Sequence, residues 1–116
     1  MAQFDVHLDA TAASGRRYLL NVQSDLLADL ATCVVVPLAL AATRRRERLA
    51  VLMPEVDIAG ERFVLMTQEL AAIRRRELGT VVGNLTAQRA EVVGGLDLLF
   101  TGGVRGNPRV PTPPDA

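Results

Sequence analysis

The run "CVVVPLALAA", Cys33 to Ala42, constrains the fold of this chain more than any other stretch. It is too short to span a membrane as a helix, which takes about 20 apolar residues. Val34, Val35 and Val36 are β-branched and favour the pleated surface of a strand. Pro37 cannot donate a hydrogen bond to a neighbouring strand, so we expect it at a sheet edge or a bulge. The run therefore predicts a buried strand.

Two further strands are predicted before this run. In "QFDVHLD" the apolar residues Phe4, Val6 and Leu8 alternate with polar ones, which is the period of a half-buried strand. "RYLLNVQSD" is denser in apolar residues, so we expect both of its faces to be covered. The small and polar "ATAASGRR" between these strands, and "SDLLADLAT" after them, predict loops.

A β-hairpin is the clearest prediction in the middle of the chain. In "MPEVDIAGERFVLMTQ" apolar residues alternate on both sides of Ala59-Gly60, which predicts the turn. Before it, "ATRRRERLAV" favours a helix by propensity alone. After it, Ile73 and Leu78 are expected to be buried, Gly79 to form a turn, and "VVGN" to be the end of a short strand.

The last element is predicted to be a helix that begins near Thr86, whose hydroxyl would cap a free amide of the first turn. Gly94 and Gly95 in its middle each cost about 1 kcal/mol relative to Ala, so we expect another backbone close by. The helix carries an apolar stripe at intervals of three to four residues, formed by Leu85, Val92 or Val93, Leu96, and Leu99 or Phe100.

Together these elements predict a mainly β domain of the α+β class, an antiparallel sheet with one C-terminal helix. The 116 residues are enough for one domain, which we place at residues 1–103. The proline-rich residues 104–116 predict an extended, disordered tail.

Composition excludes several functions. The formal net charge is zero, which is unlike a typical nucleic-acid-binding protein. The single cysteine excludes an intrachain disulfide and a zinc site built from several cysteines, and it fits a reducing cytoplasm. The N-terminus "MAQFDVHLD" has no apolar segment of the signal-peptide type. No metal or cofactor is predicted.

No residue pattern points to catalysis. His7 is the only histidine, and packing or surface exposure is the favoured interpretation over a catalytic base. Cys33 begins an apolar strand, which favours a buried thiol over a reactive one. Ser24 and Asp25 are interpreted as turn residues that bind local amides. The chain has no glycine-rich phosphate-binding motif.

Two arginine runs, "RRRER" at 44–48 and "RRRE" at 74–77, leave two interpretations open. The favoured one is a solvated face with interspersed carboxylates. The alternative is a patch for an acidic partner, because the arginine guanidinium pairs with carboxylates through a planar fork.

Read in order, "QFDVH", "VQSDLL", "VVVPL", "VDIAGERFVLMTQELAAI" and "LDLLFTGG" resemble the CcdB family, the toxins of plasmid-borne and chromosomal toxin–antitoxin modules. The resemblance covers Ala2 to Gly103. It implies a small SH3-like antiparallel barrel, shared by CcdB-type and MazF-type toxins, and a homodimer with its C-terminal helices near the two-fold axis. It also implies binding to the A subunit of DNA gyrase, trapping of the cleaved DNA–gyrase complex, and no enzymatic activity of the toxin itself.

The resemblance also implies two sets of contact residues. Contacts with an acidic, disordered CcdA-like antitoxin, with which the toxin would co-repress its operon, are expected at Leu8, Asp9, Arg44, Arg45 and Arg46. The chain departs from the best-known family member, which has Trp where Thr101 stands, and it continues beyond Gly103. Contacts with gyrase are expected at Leu26, Leu27, Asp97, Thr101, Gly102 and Gly103.

Two alternatives to gyrase poisoning stay open at this point. The first is an endoribonuclease of the MazF type, which needs a general base and a cation near the scissile phosphate. Arg16, Arg17 and Thr67 are its candidate residues. The second is a non-toxic protein that binds an antitoxin and tunes repression.

Overall fold

The computed structural model describes residues 2–11, 18–44 and 49–102. Five single-turn 3-10 helices connect the main elements, at Asp25–Leu27, Ala41–Thr43, Thr67–Glu69, Arg75–Glu77 and Thr86–Gln88. The strands are β1 (Asp5–Asp9), β2 (Tyr18–Asn21), β3 (Thr32–Leu40), β4 (Glu55–Ile58), β5 (Glu61–Leu65), β6 (Ala71–Arg74) and β7 (Leu78–Asn84), followed by the helix α1 (Arg89–Thr101).

All seven strands belong to one antiparallel sheet. Its order is β4-β5-β3-β2-β1-β7, and β6 pairs with β3 beside the first residues of that strand. The sheet curls into a half-barrel with β4 and β7 at its ends. The predicted mainly β fold with a C-terminal helix is confirmed.

The central strand β3 contains Pro37, contrary to the expected position at an edge or bulge. Pro37 pairs with Leu19 of β2 in regular register. On its other side β6 pairs with Thr32–Val35 and β5 with Leu38–Leu40, so the proline lies where one neighbour gives way to the next. Its carbonyl accepts a hydrogen bond from the Met66 amide at 2.9 Å. The strand that pairs with this side of β3 changes from β6 to β5 at Pro37. The N–H group that proline lacks is therefore not needed by either neighbouring strand.

The hairpin of β4 and β5 forms as predicted. Val56 pairs with Phe63, and Ile58 pairs with Glu61 across the turn. Ala59 and Gly60 both have positive φ angles, 53° and 84°, which is the backbone of a type I′ turn.

The sheet has a hydrophobic cluster on each face, as the apolar density of β2 predicted. Leu19 joins Cys33 and Val35 in the smaller cluster, which the half-buried Ile73 and Leu78 cover. The larger cluster lies on the other face and includes residues from α1 and from its entry: Phe4, Val6, Leu20, Val22, Val36, Leu38, Val56, Ile58, Phe63, Leu65, Leu85 and Val92.

Gly79 is not in a turn, as the sequence had suggested, but within β7. A Cβ at this position would lie 2.7 Å from the Leu8 carbonyl oxygen, so β1 and β7 approach here more closely than a side chain allows. The pairing of β1 with β7 is irregular on both sides of His7. The His7 Nδ1 atom lies 2.9 Å from the Gly79 carbonyl oxygen and fastens the two strands at the irregularity.

The predicted helix cap at Thr86 is wrong. Thr86 lies in the 3-10 turn that precedes α1, and its amide donates to the Asn84 Oδ1 at 2.8 Å. The Asn84 amide group in turn donates to the Asp5 carboxylate at 2.9 Å, which ties the entry of the helix to β1. The side chain that holds the entry of the helix is therefore Asn84, two residues before the predicted cap, and the chain makes a tighter turn before α1 begins.

The helix predicted over 42–51 is not seen in the part of it that the structure describes. Ala41–Thr43 forms a single 3-10 turn, and the chain turns again where the Met53 amide donates to the Leu49 carbonyl at 2.7 Å. Residues 45–48 of the first arginine run lie outside the described residues, as do Gly103 and the predicted tail at 104–116.

Candidate functional surfaces

The first candidate surface is the leucine loop, residues 24–31. Its conformation is set by local side-chain bonds, since the Ser24 hydroxyl accepts from the Leu26 amide at 3.1 Å and caps the 3-10 turn. The Asp25 carboxylate accepts from the Gln3 amide at 2.8 Å. The interpretation as a turn residue that bonds a local amide is confirmed for Ser24, whereas Asp25 bonds an amide 22 residues away in the sequence.

The leucines of this loop face solvent. Leu26 is 94% exposed, Leu27 47% and Leu30 49%. Burying one leucine side chain fully stabilises a fold by roughly 1.5–3 kcal/mol. These exposed leucines therefore contribute little of that stabilisation to this fold. The loop is nevertheless held in place, because Arg75 donates from Nε to the Leu30 carbonyl at 2.6 Å and from Nη2 to the Leu27 carbonyl at 3.1 Å.

The second candidate surface is the tip of α1. Phe100 is 68% exposed and Leu99 36%. Gly102 ends the helix with φ of 79°, and its amide donates to the Leu98 carbonyl at 3.2 Å. This left-handed cap is the usual role of glycine after a helix. The Thr101 hydroxyl donates to the Asp97 carbonyl at 2.8 Å.

The structure brings some of the predicted gyrase contacts together and not others. Asp97, Thr101 and Gly102 share the last turn of α1 and its cap. Leu26 and Leu27 lie on a different element, and the elements most in contact with α1 are the 3-10 turns at 67–69 and 86–88. The leucine loop and the helix tip are thus exposed apolar surfaces on two different elements, and Gly103 lies outside the described residues.

The predicted antitoxin contacts are described only in part. Leu8 and Arg44 are half-buried. The Asp9 carboxylate accepts from both the amide and the hydroxyl of Thr11, at 2.9 and 2.7 Å, so it is used in its own turn. Arg45 and Arg46 lie outside the described residues.

His7 and Cys33 are both buried in the sheet, at 1% and 0% exposure. Burial raises the pKa of the Cys33 thiol, against the smaller opposing effect of Arg75. His7 is bonded at Nδ1 only, and its Nε2 has no hydrogen-bond partner. Neither side chain is accessible to a substrate, and the packing interpretation of both is confirmed.

The candidate residues for an RNA-cleaving enzyme are not assembled in the described residues. Thr67 is 2% exposed, and a Cβ on Gly95 of α1 would lie 3.2 Å from its hydroxyl. The hydroxyl is therefore covered by the helix. Arg16 and Arg17 lie outside the described residues.

The described parts of the chain contain no group of three or more His, Cys, Asp or Glu side chains placed to hold a metal ion. None of the helices there has the length and apolar content required to cross a bilayer.

The sequence did not show that the three arginines of the second run have different contacts. Arg75 is used inside the molecule, whereas Arg74 and Arg76 line a concavity together with Ala31 and Thr32. The run itself was the available signal. It could not show which arginine turns inward, because that depends on where the leucine loop packs.

The half-barrel buries its single histidine and its single cysteine and exposes apolar side chains on a fixed loop and on a helix tip. Exposed apolar surfaces of this kind are typical of proteins that bind other proteins. The model of the family described as CcdB protein matches residues 3–102, and the chain belongs to this family, whose members are toxins of toxin–antitoxin systems. The comparison with curated proteins finds no match.

Proposed function

We propose that this toxin binds the A subunit of DNA gyrase and traps the enzyme on cleaved DNA. The toxin contributes no chemical step of its own. It acts as a homodimer and inserts its two helix tips at the dimerisation region of the A subunit. The domain that does this is residues 1–103, in the cytoplasm.

The observation that carries the proposal is the exposed tip of α1 in a chain whose family match extends to residue 102. Phe100 offers a large apolar side chain that the fold leaves in water, and aromatic anchors of this kind dominate many protein interfaces. Gly102, which ends the helix, and Gly103, which follows it in the sequence, carry no side chains. A tip of this shape fits a cleft between two partner subunits.

The other expected gyrase contacts supplement this anchor. Leu26 and Leu27 supply apolar area on a loop that is already ordered, so little conformational entropy is lost when a partner covers them. Thr101 is much smaller than tryptophan, so in this chain we assign the anchoring role to Phe100, one residue earlier.

We further propose that a CcdA-like antitoxin neutralises the toxin and that the two proteins together repress their operon. An acidic, disordered antitoxin segment would contact Leu8, Asp9, Arg44, Arg45 and Arg46. A disordered segment can cover such a spread of residues because it orders only on binding. Operator contacts belong to the antitoxin, which fits the zero net charge of this chain.

The test uses purified gyrase, supercoiled plasmid and ATP, and measures linear DNA released after denaturation of the enzyme. The full chain should produce linear DNA. A chain that ends at Phe100 should produce none, because it lacks the contacts of Thr101, Gly102 and Gly103 and also the bonds from Thr101 and Gly102 that hold the last turn of α1, which carries Phe100. The matched control is a chain that ends at Gly103, which lacks only residues 104–116 and should retain the activity.

Three outcomes would contradict the proposal. Linear DNA from the chain ending at Phe100, with its far-ultraviolet circular dichroism unchanged, would show that Thr101, Gly102 and Gly103 are not gyrase contacts. RNA cleavage by the purified full chain in the absence of gyrase would favour the endoribonuclease alternative. Normal growth of cells that express the full chain, with tight antitoxin binding, would favour the non-toxic regulator.

A further inference from the structure

The leucine loop does not owe its order to the hydrophobic core. Every residue from Asp25 to Ala31 is exposed, and the 3-10 turn inside the loop has no buried residue. Fixing the backbone of such a segment costs conformational entropy, and here no burial of apolar side chains offsets that cost. Hydrogen bonds must therefore hold the loop in its conformation.

The bonds at the two stems of the loop come from the first strands of the chain and the residues beside them. The Gln3 amide donates to the Asp25 carboxylate at the start of the loop. The Gln23 side-chain amide donates to the Thr32 carbonyl at 3.1 Å and, at the longer distance of 3.4 Å, to the Leu27 carbonyl. These bonds fix where the loop begins and ends, but they give its second half only one long bond.

The second half of the loop is bonded by Arg75, more than forty residues later in the chain. The Arg75 backbone amide donates to the Ala31 carbonyl at 2.9 Å, and its guanidinium donates to the carbonyls of Leu30 and Leu27 at 2.6 and 3.1 Å. Hydrogen bonds from a charged donor are stronger than neutral ones. The guanidinium is planar and rigid, so its two donors hold these two carbonyls in a fixed relation to each other.

Two of the three carbonyls that Arg75 holds belong to exposed leucines. Without the side chain of Arg75, the backbone at Leu27 and Leu30 would lose its only bonds to a distant part of the fold. A partner protein would then have to order this backbone before it could cover the leucine side chains. Ordering of this kind is subtracted from the binding free energy.

We propose that Arg75 is a positioning residue for gyrase binding. It acts through the leucine loop, which it holds in the conformation that gyrase binds, and not by contacting gyrase itself. The inference rests on the proposed function, in which Leu26 and Leu27 are gyrase contacts. Loss of Arg75 should weaken binding without lowering the amount of trapped complex at saturation, because a high toxin concentration compensates for the cost of ordering the loop.

The first experiment titrates each variant into gyrase, supercoiled plasmid and ATP, and measures linear DNA. For Arg75→Gln the half-maximal toxin concentration should rise about tenfold, with an unchanged maximum. Arg75→Lys should lie between this variant and the unchanged chain, since lysine keeps the charge but lacks the rigid pair of donors. The matched control is Arg76→Gln, which removes the same charge at the neighbouring exposed residue and should stay within about twofold.

A double-mutant cycle separates positioning from a general weakening of the fold. In a chain that already carries Leu26→Ala and Leu27→Ala, the further change Arg75→Gln should raise the half-maximal concentration by less than about twofold, because the side chains through which Arg75 acts are gone. The full tenfold rise in that chain would overturn the proposal.

Hydrogen exchange followed by NMR tests the loop in the absence of gyrase. The Leu30 amide donates to the Leu27 carbonyl, one of the acceptors of Arg75, and the Val22 amide donates to Val34 between β2 and β3. Arg75→Gln should speed exchange of the Leu30 amide about tenfold and leave that of Val22 unchanged. Unchanged exchange at Leu30, or equal acceleration at both amides, would overturn the proposal.

The two experiments distinguish failure of this inference from failure of the proposed function. If the full chain releases no linear DNA, the gyrase proposal is wrong, and hydrogen exchange still decides whether Arg75 orders the loop. If Arg75→Gln releases linear DNA at the same half-maximal concentration as the full chain, the positioning role is wrong and the gyrase proposal stands.

Discussion

The two halves of α1 are both apolar, but they serve different purposes. In the first half Val92 is buried in the larger cluster, and Gly95 lies against the backbone of the 51–52 turn. In the second half Leu99 and Phe100 extend into solvent. The comparison teaches that hydrophobicity in this helix stabilises the fold only where the helix has a packing partner. Beyond that point the apolar side chains remain in contact with solvent.

The adjacent glycines give the sharpest form of this comparison. A Cβ on Gly95 would lie 3.0 Å from the Leu52 carbonyl oxygen and 3.2 Å from that of Val51, whereas a Cβ on Gly94 would have no atom within 4 Å. Gly95→Val should therefore lower the free energy of unfolding by more than about 3 kcal/mol, because backbone atoms must move. Gly94→Val should change it by less than about 0.5 kcal/mol. Urea unfolding followed by circular dichroism measures both.

An equal loss of unfolding free energy in the Gly94→Val and Gly95→Val variants would contradict the predicted difference between the two glycines. The Gly94→Val variant alone could lose unfolding free energy, by an amount that grows with protein concentration. That result would mean that a second copy of the chain packs on Gly94. Analytical ultracentrifugation of the Gly94→Val variant distinguishes this case from a defect within one chain.

Truncating one apolar side chain in each half tests the same comparison with a smaller effect. Val92→Ala should cost about 2 kcal/mol of unfolding free energy, because it removes buried methyl groups from the larger cluster. Phe100→Ala should cost less than about 0.5 kcal/mol, since most of the ring is already in water. In the gyrase assay the order of the two variants should reverse, and Phe100→Ala should lower the amount of linear DNA more than Val92→Ala does. A large stability loss for Phe100→Ala would contradict the assignment of the tip to binding.

The smallest expected effect concerns the entry of the helix, where Asn84 links it to Asp5. Burial raises the pKa of the Asp5 carboxyl, but hydrogen bonds from Asn84 and the Ala2 amide and the proximity of His7 outweigh it, so the pKa lies below its ordinary value. A carboxylate of this kind adds stability above its unfolded-state pKa and loses that stability as the pH falls through the folded-state value.

Asp5→Asn should therefore cost less than about 1 kcal/mol at pH 6, and the difference from the unchanged chain should vanish under strong acid. The measurement is urea unfolding across the acid range. Asp29→Asn is the matched control, because Asp29 is exposed on the leucine loop and should show no difference at either pH. A difference that persists in strong acid would mean that Asp5 acts through shape rather than charge.

Much of the architecture was predictable because local signals and tertiary packing agree. The hairpin was found from alternation around Ala59-Gly60, and both residues do adopt the left-handed backbone that the turn needs. Another backbone was expected near Gly94 and Gly95; Gly95 has one, but Gly94 has no neighbouring atom within 4 Å of an added Cβ, so the expectation was wrong there. Gly79 looked similar in the sequence but lies inside a strand, because a close approach between two strands also requires a residue without a Cβ.

The candidate surfaces were less predictable. The resemblance pointed to Leu26 and Leu27, and the structure shows them exposed, but periodicity alone could not separate a packed loop leucine from a solvated one. The concavity beside Arg74 and Arg76 gave no sequence signal beyond the arginine run. It depends on Arg75 turning toward carbonyls more than forty residues away in the chain.

By itself the sequence determined the class of fold, the positions of most strands, the final helix and the family, because these depend on local periodicity, turn residues and the order of motifs. Only the tertiary structure decided which apolar residues stay in solvent, which of two adjacent glycines is required, and which arginine of three is used internally. These features depend on what lies across from a residue in space. Contacts between distant segments set them, and no short stretch of sequence contains that information.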